Sequence, residues 1–530
     1  YLQDTWKVTR KVTLNYGLRW APFLPMQFTD GNVYTFSLDS FYKGVRSQVI
    51  PSAPPGFSYP GDPGFHAKSG MESQWKNLEP RVGIAWDPAG DGKTAIRVGG
   101  GIAHDFIRMD LHENTSSVAP FRLTVTPSVV SLDNPFPTGN PFPYNFDPAH
   151  PTFPSTPLYQ GFFPIPPNLK TTEQYSWNLG IQRQLTPALF ASATYVGTHL
   201  IHTWSAIDLN PGLFIQGNCV AGQYGLTSAG PCTQSNNVNQ RRLLLLTNPN
   251  APNVSTLGSM EQLDDGGTQR YNGVLLNARL RLGQRLNLDG NYTWSHCIGL
   301  PITTLTNLGA ANPHGPYQNN GPADRKLDMG DCTSNAAISA LDLRHIANVT
   351  LVATTPKYSG DSWMRRLGST WTFSTIFQAR SGAPVTPGIG GDQAYSGVAI
   401  PGGGALPIPQ RPNQVLATVV SPARRQGCSP APCVGWFDAN ALALPPVGTY
   451  GNMGVGSLRA PGFWDWSQTI SRKFQVAEGR QVEFRAEAFN VTNSLRLGNP
   501  NTTLSGGQFG KITSSNAGPR IMQFALKYIF

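Results

Sequence analysis

Apolar and polar residues alternate along much of this chain with a period of two, the signature of strands that present one apolar and one polar face. In the final stretch, IMQFALKYIF, Met522, Phe524, Leu526, Tyr528 and Phe530 share a face, with Gln523, Ala525 and Lys527 between them, and only Ile529 departs from the rule. Residues 12–21 repeat the pattern with Val12, Leu14, Tyr16, Leu18 and Trp20. The clearest hairpin joins YNGVLLNARLRL to RLNLDGNYTWSH through Gly283 and Gln284. Its first strand sets Val274, Leu276, Ala278, Leu280 and Leu282 against Asn277, Arg279 and Arg281. Its second sets Leu286, Leu288, Gly290, Tyr292 and Trp294 against Asn287, Asp289, Asn291, Thr293 and Ser295. That second face is too polar for the core of a sandwich. Further alternating stretches fall at 79–87 and 93–104, at 173–184 and 188–197, and at 480–490. With the final strand, the pattern predicts about thirteen strands of about ten residues, the length a tilted membrane strand needs.

The connections carry equal information. Short turns are predicted near 9–11, 88–92, 185–187, 283–284, 356–368 and 475–479. Long loops are predicted near 23–77, 105–172, 198–266, 298–341, 381–462 and 491–517. Short and long alternate throughout. Long structureless connections are foreign to a compact soluble domain, whereas a membrane barrel with short periplasmic turns and long external loops requires the alternation. The expected fold is therefore all-β, an antiparallel transmembrane barrel portion occupying residues 1–530. The loops are rich in Pro, Gly and aromatics, as in PFPTGNPFPYNFDPAHPTFPSTPLYQGFFPIPP, and their Tyr and Phe density favours packed loops over free tails.

Composition agrees with that picture. Charged residues make up 13% and aromatics 10%, alongside 56 glycines and 46 prolines. No run of about 18 apolar residues exists, so no helix is expected to span a bilayer. The formal net charge is +10, but Lys7, Arg10, Lys11, Arg19, Arg81, Arg97, Arg279 and Arg281 are scattered and join no nucleic-acid motif, so no nucleic-acid partner is expected. Six cysteines, Cys219, Cys232, Cys297, Cys332, Cys428 and Cys433, fall in loops or, for Cys297, at the loop end of a strand. Pairing of sequence neighbours would close three local loops in an oxidising compartment, although six cysteines allow about fifteen connectivities. The opening at Tyr1, without an initiator methionine, suggests a chain cut from a longer precursor.

Five stretches resemble the barrel of Oar-like TonB-dependent outer-membrane transporters: YLQDTWKVTRKVTLNYGLRW, LGIQRQLTPALFASATYVGTHL, RYNGVLLNARLRLGQRLNLDGNYTWSHCI, DRKLDMGDCTSNAAISALDLRHIANVTLVATTP and FRAEAFNVTNSLRLGNPNTTLSGGQFGKITSSNAGPRIMQFALKYIF. They run in family order from the first residue to the last. The resemblance implies a barrel of about 22 strands with a plugged lumen, so N-terminal barrel strands, the plug and the TonB box would lie outside this chain. It also implies location in the cell outer membrane and energised uptake of a scarce or bulky ligand of unknown identity, through a TonB complex engaged by the plug.

Candidate residues follow from the strand faces. Trp6, Trp20, Trp86, Tyr292, Trp294 and Trp371 sit near strand ends, where rings mark the boundary of outer-membrane lipid. Arg279, Arg281, Asp289, Glu483, Arg485 and Glu487 belong to the lumen-facing rows, and Asp289 is expected to pair with Arg279 or Arg281 across the hairpin. Such charges more often form ionic ladders than a substrate path. Phe524, Leu526, Tyr528 and Phe530 resemble the terminal signal read by the barrel-assembly machinery. Tyr144, Tyr159, Phe162 and Phe163 could stack on a sugar, although loop packing is the simpler role. His199 and His202 lack a third ligand for a metal, and Gly99–Gly101 lacks the context of a phosphate loop and suits a bend in a barrel strand. No catalytic motif appears in a credible context, so no cofactor and no enzyme activity are expected. The alternative function is an outer-membrane scaffold for adhesion or secretion without TonB-coupled transport.

Overall fold

The computed structural model describes residues 1–107, 109–122, 133–134, 146–155, 159–299, 329–332, 342–359, 362–397 and 410–530. Thirteen strands form one antiparallel sheet in which every strand pairs with its chain neighbours. They are β1 (Leu2–Lys7), β2 (Val12–Trp20), β3 (Leu78–Trp86), β4 (Thr94–Asp105), β5 (Thr172–Gln184), β6 (Leu189–Asp208) and β7 (Leu257–Leu282), followed by β8 (Leu286–Gly299), β9 (His345–Thr354), β10 (Trp371–Arg380), β11 (Phe463–Ala477), β12 (Arg480–Phe489) and β13 (Ile521–Ile529). β1 and β13 form the two edges of this up-and-down sheet.

The register keeps like faces together. Leu276 lies opposite Tyr292 and Val274 opposite Trp294, while Asn277 opposes Asn291 and Arg279 opposes Asp289. The polar row continues from Asn291 to Asn348 and then to Gln378. A one-residue slip would carry every one of these polar groups onto the apolar face, so burial in lipid fixes the pairing. Gly197 shows how tightly the apolar face is tiled. Trp177, its cross-strand partner, lies flat over it, and a Cβ on Gly197 would come within 2.2 Å of the indole.

Short and long connections alternate as the pattern predicts, with one difference. The loop expected over 198–266 is shorter, because β6 continues to Asp208 and β7 begins at Leu257. At about 3.3 Å per residue the 26 residues of β7 extend about 85 Å, far beyond an apolar band of about 25 Å. The pair stands above the membrane as a pillar. Polar and small residues such as Asp264, Asp265, Gly266 and Gly267 blur its alternation, and the sequence pattern fades there for that reason.

The hydrophobic cores lie in the long loops and the strand ends they cover. The first gathers Tyr34, Phe36, Phe41, Phe57 and Tyr59 from the β2–β3 loop, Phe121, Phe153 and Phe162 from the β4–β5 loop, and Leu244 and Val254 from the β6–β7 loop. Phe57 is its hub: the rings of Phe36, Phe162, Tyr34 and Phe153 stand 5.1, 5.2, 5.3 and 5.8 Å away. A second core joins the β10–β11 loop to the β12–β13 loop through Trp436, Phe437, Met453, Phe509 and Ile512. A third, smaller one packs Phe23 and Met71 against Ile107, Leu111, Ile165 and Leu169. A membrane sheet with lipid on one side and polar groups on the other has no interior of its own. The compact packing among the described residues is therefore in the cap of long loops at one end of the sheet.

Candidate functional site

The surface available to a ligand has two parts, the polar face of the sheet and the cap above it. On the polar face, Arg279 Nε donates to Asp289 Oδ2 at 2.8 Å, the cross-hairpin pair that the alternation anticipates. Arg485 contacts Glu487 on its own strand at 2.5 Å. Glu483 stands in register between Lys473 of β11 and Lys527 of β13, and Arg281 lies opposite Asn287. The candidate charges thus form two groups, on β7–β8 and on β12, with three strands between them. They do not converge on one pocket. Between the groups Asn348 Nδ2 donates to Asn291 Oδ1 at 2.9 Å, and Asp465 of β11, in register with Gln378, meets Arg496.

The cap is fixed by covalent and ionic ties as well as by its cores. Disulfides join Cys219 to Cys232, Cys297 to Cys332, and Cys428 to Cys433, the pairing of sequence neighbours. Beside Cys297–Cys332 an ionic knot closes two loops onto the sheet. Arg459, from the β10–β11 loop, contacts both Asp331 and Asp342. Arg344 approaches the same carboxylates at 3.4 and 3.5 Å, and His296 Nε2 lies 2.9 Å from Asp331. Asp342, fully buried, also accepts the Cys297 backbone N–H at 2.7 Å. Two carboxylates this close are tolerable only because cations lie against them.

A second tie sits where the pillar meets the cap. Asp208 at the end of β6 accepts from Arg242 at 3.3 Å, and both side chains are 95% or more buried. Burial pulls the Arg242 guanidinium below its ordinary value, and Asp208 opposes that shift. Neighbouring Arg241, fully buried, is bound by Asn237 Oδ1 at 2.8 Å and by the Gln234 carbonyl at 3.2 Å. Asp62 organises the β2–β3 loop, accepting from Ser47 Oγ at 2.6 Å and from the backbone N–H groups of Gln48 and Tyr59 at 2.7 and 2.8 Å. None of these groups is distinguished by strand periodicity. The adjacent arginines at 241–242 were the one visible signal, and loop charge alone does not say which partner it meets.

The aromatic positions fall at two levels. Trp6, Trp86 and Trp371 lie at strand ends beside short turns, and Trp20 lies at the opposite end of β2. Trp20 packs near Trp75, with ring centroids 6.1 Å apart, and donates its indole N–H to the Trp75 carbonyl at 2.7 Å. Tyr292 and Trp294 occupy the middle and upper part of β8, where the Tyr292 hydroxyl bonds His345 at 2.7 Å. On β13, Phe524, Leu526 and Tyr528 stand on one exposed row, and Phe530 follows the strand with 93% of its surface exposed. Of the loop aromatics, Phe162 is fully buried in the first core, Phe163 donates its backbone N–H to the Tyr34 hydroxyl at 2.8 Å, and Tyr159 is half-buried. Tyr144 lies outside the described residues. His199 bonds Thr268 at 3.1 Å, and among the described residues no three His, Cys, Asp or Glu side chains converge as metal ligands.

The comparison that decides the family covers nearly the whole chain. Residues 1–523 match the outer membrane beta barrel domain. The chain belongs to this outer membrane β-barrel family. Its sheet accordingly crosses the outer membrane, with the short turns in the periplasm and the long loops outside the cell. No curated protein matches the chain. Solved structures similar to it include the outer membrane transporter YddB from Escherichia coli, at 9% identity and TM-score 0.37 over 86% of this chain and 40% of that one. The siderophore receptor PiuA from Acinetobacter baumannii follows at 9% and 0.36, over 99% and 42%. The copper transporter OprC follows at 12% and 0.34, over 99% and 47%. The chain thus spans less than half the length of each of these structures.

Proposed function

We propose that this chain is the C-terminal barrel portion of a TonB-dependent outer-membrane receptor, contributing lumen wall and ligand-capturing loops to energised uptake. The observation that carries the reading is the cap: three packed cores, three disulfides and two buried ionic ties hold the long loops in one arrangement above a polar sheet face. Loops organised in this way recognise a ligand with little ordering penalty. The five stretches that resemble Oar-like transporters support the same reading. The unpaired edges of β1 and β13 suit completion by further strands, since exposed edges invite unwanted pairing. Within this reading Arg279, Arg281, Asp289, Glu483, Arg485 and Glu487 line the lumen as ladders that hold a plug. Trp6, Trp86 and Trp371 at one level and Trp20 and Trp294 at the other anchor the barrel at the lipid boundaries, whereas Tyr292, expected near a strand end, lies in the middle of β8. The row ending in Phe530 serves as the assembly signal.

The test is uptake by the intact protein in cells with and without an active TonB system. Ligand accumulation that stops when TonB is removed supports the reading. Surface binding or secretion that persists unchanged without TonB, from an intact gene that encodes no plug, would establish the adhesion or secretion scaffold instead. Deleting Phe530 should lower the amount of assembled barrel in the outer membrane, measured by heat-modifiable migration, and unchanged assembly would remove the signal role.

A further inference from the structure

The periplasmic turn between β9 and β10 differs from its counterparts. The others span a few residues, whereas this one occupies residues 355–370 and carries a short helix, Trp363–Gly368. Trp363, Met364 and Leu367 are 68, 64 and 54% exposed. Leu367 stands four residues from Trp363 and three from Met364, the spacings that are neighbours on a helix surface, so it joins the three side chains into one apolar wedge. Tyr358, 48% exposed, precedes it on the same strap.

A helix of six residues does not hold itself together in water. This one is tied down by its carbonyls. Leu367 O accepts from the Trp371 indole and from Arg472 Nη1, the latter at 2.7 Å. Gly368 O accepts from Thr355 Oγ1 at 2.8 Å, and Ser369 Oγ donates back to Arg365 O at 2.7 Å. The wedge is therefore presented by a built support rather than by a loose loop.

The ties also say which way it faces. Trp371 and Arg472 are cross-strand partners on the row that carries Phe373 and Ile470, then the mutually bonded Thr375 and Gln468, then Phe377 and Trp466. That is the apolar, lipid-facing row. Both reach the helix from that side, so the helix lies against the outside of the barrel rim, not beneath the lumen. Arg472 is a cation on a lipid-facing row, its guanidinium 4.6 Å from the Phe474 ring centroid and 5.6 Å from that of Trp371. A charge in that position is favourable at headgroup level, where its stem is apolar and its head meets phosphate. The strap adds Lys357 and Arg365.

We propose that residues 362–371 form an in-plane membrane anchor, inserting Trp363, Met364 and Leu367 into the periplasmic leaflet and gathering anionic phospholipid around Arg365 and Arg472. The occupant is lipid because the apolar wedge continues the lipid-facing row and its cations match phosphate headgroups. The anchor would fix the depth and rotation of the β9–β11 wall, so that a load on the lumen is borne by the leaflet as well as by the hairpins.

The test uses the intact protein in lipid nanodiscs, in which both faces of the membrane are open to solutes. All six cysteines of this chain are paired, so Met364→Cys labelled with an environment-sensitive fluorophore reports on the wedge. Ala89→Cys, in the exposed turn after β3, serves as the aqueous reference. With phosphatidylethanolamine and phosphatidylglycerol, the probe at 364 should be quenched about threefold more by acyl-chain spin labels than the probe at 89, and correspondingly less by iodide. Equal quenching by iodide at the two sites would overturn the anchor. Protection at 364 that appears only on adding a periplasmic protein, without lipid quenching, would overturn it in favour of a protein-docking surface. Leaving out phosphatidylglycerol should shift the 364 probe toward water, and Arg365→Gln should weaken that dependence. Identical spectra with and without the anionic lipid would overturn the headgroup assignment. Trp363→Ala, which touches no barrel strand pairing, should reduce acyl-chain quenching at 364 while heat-modifiable folding stays unchanged, and unaltered quenching would count against the wedge.

Discussion

The sheet and the cap are held together by different physics. In the sheet, backbone ladders run from β1 to β13 and the side chains face lipid or the polar lumen, so its order is set by hydrogen bonds that lipid leaves no alternative to. In the cap, regular structure is scarce, and stability comes from apolar burial around Phe57, Trp436 and Phe23 together with disulfides and buried ion pairs. The sheet should tolerate the loss of a single side chain and the cap should not. If the cap captures a ligand, as proposed above, damage there should register in binding before it registers in assembly.

The largest effect is expected at the hub of the first core. Phe57→Ala removes a fully buried ring packed on at least four others and should destabilise the cap by about 3–5 kcal/mol. Hydrogen exchange should show the 34–59 and 146–162 segments losing protection while β7 and β8 keep theirs. Protection lost equally in the strands would mean that cap and sheet unfold as one unit. Next comes the knot. Arg459→Ala leaves the Asp331 and Asp342 carboxylates with Arg344 and His296 alone and should cost the cap about 3 kcal/mol. Its readout is faster reduction of Cys297–Cys332 by an added thiol, with unchanged reduction of Cys219–Cys232 as the internal control.

A smaller effect depends on pH. His112, in the β4–β5 loop, is buried against Phe28 and bonds the Ser69 carbonyl at 2.8 Å. Burial lowers its pKa below the ordinary 6.5, and the bond to Ser69 only partly opposes this. A base whose folded pKa is depressed binds protons more readily when exposed, so its neutral form stabilises the cap above pH 6.5, and that contribution declines as the pH falls from 6.5 toward the folded value. Exchange from the 66–71 and 109–116 segments should quicken over that window, and His112→Gln should flatten the dependence. A slope that survives the substitution would move the titrating group elsewhere.

These contrasts also mark what the sequence could say. The two faces of the hairpin from Tyr271 to Ser295 were legible, because a period of two in a half-buried strand fixes which residues share a face, but the pattern left Arg279 and Arg281 both open as the partner of Asp289, and the register of the pair chose Arg279. The alternation of short turns and long loops was legible for the same reason, since it is a property of membrane topology and not of any contact. The pillar was misjudged by about ten residues at each strand, because above the lipid the outward face of β6 and β7 no longer needs to be apolar. The cap was legible only as aromatic density. That Phe57 meets Phe162, or that Arg459 reaches Asp331 across the intervening loop, depends on how loops with no periodicity fold over one another. The lipid-facing Arg472 was overlooked for a third reason: a cation breaks the alternation, and only its stacking on Phe474 shows why it stands there.

The smallest expected effect makes the comparison sharpest. Arg279→Ala removes the pair with Asp289, one of the two that the strand pattern allowed. Its guanidinium is half exposed, at 51%, so water and salt already screen it, and such pairs contribute about 0.2–1 kcal/mol. The backbone ladder on both sides of β7 is untouched by the change. Thermal unfolding of the sheet should therefore move by no more than a degree or two, on the order of what a fraction of a kcal/mol produces in a large domain, and hydrogen exchange in the cap should not move at all. If the barrel instead lost as much as the cap loses at Phe57, the polar face would be a structural core in its own right, closed over by something that presses on Arg279 and Asp289. In the proposed receptor that result would locate a plug contact. A null result on the isolated chain beside a large one on the intact protein would say the same more directly.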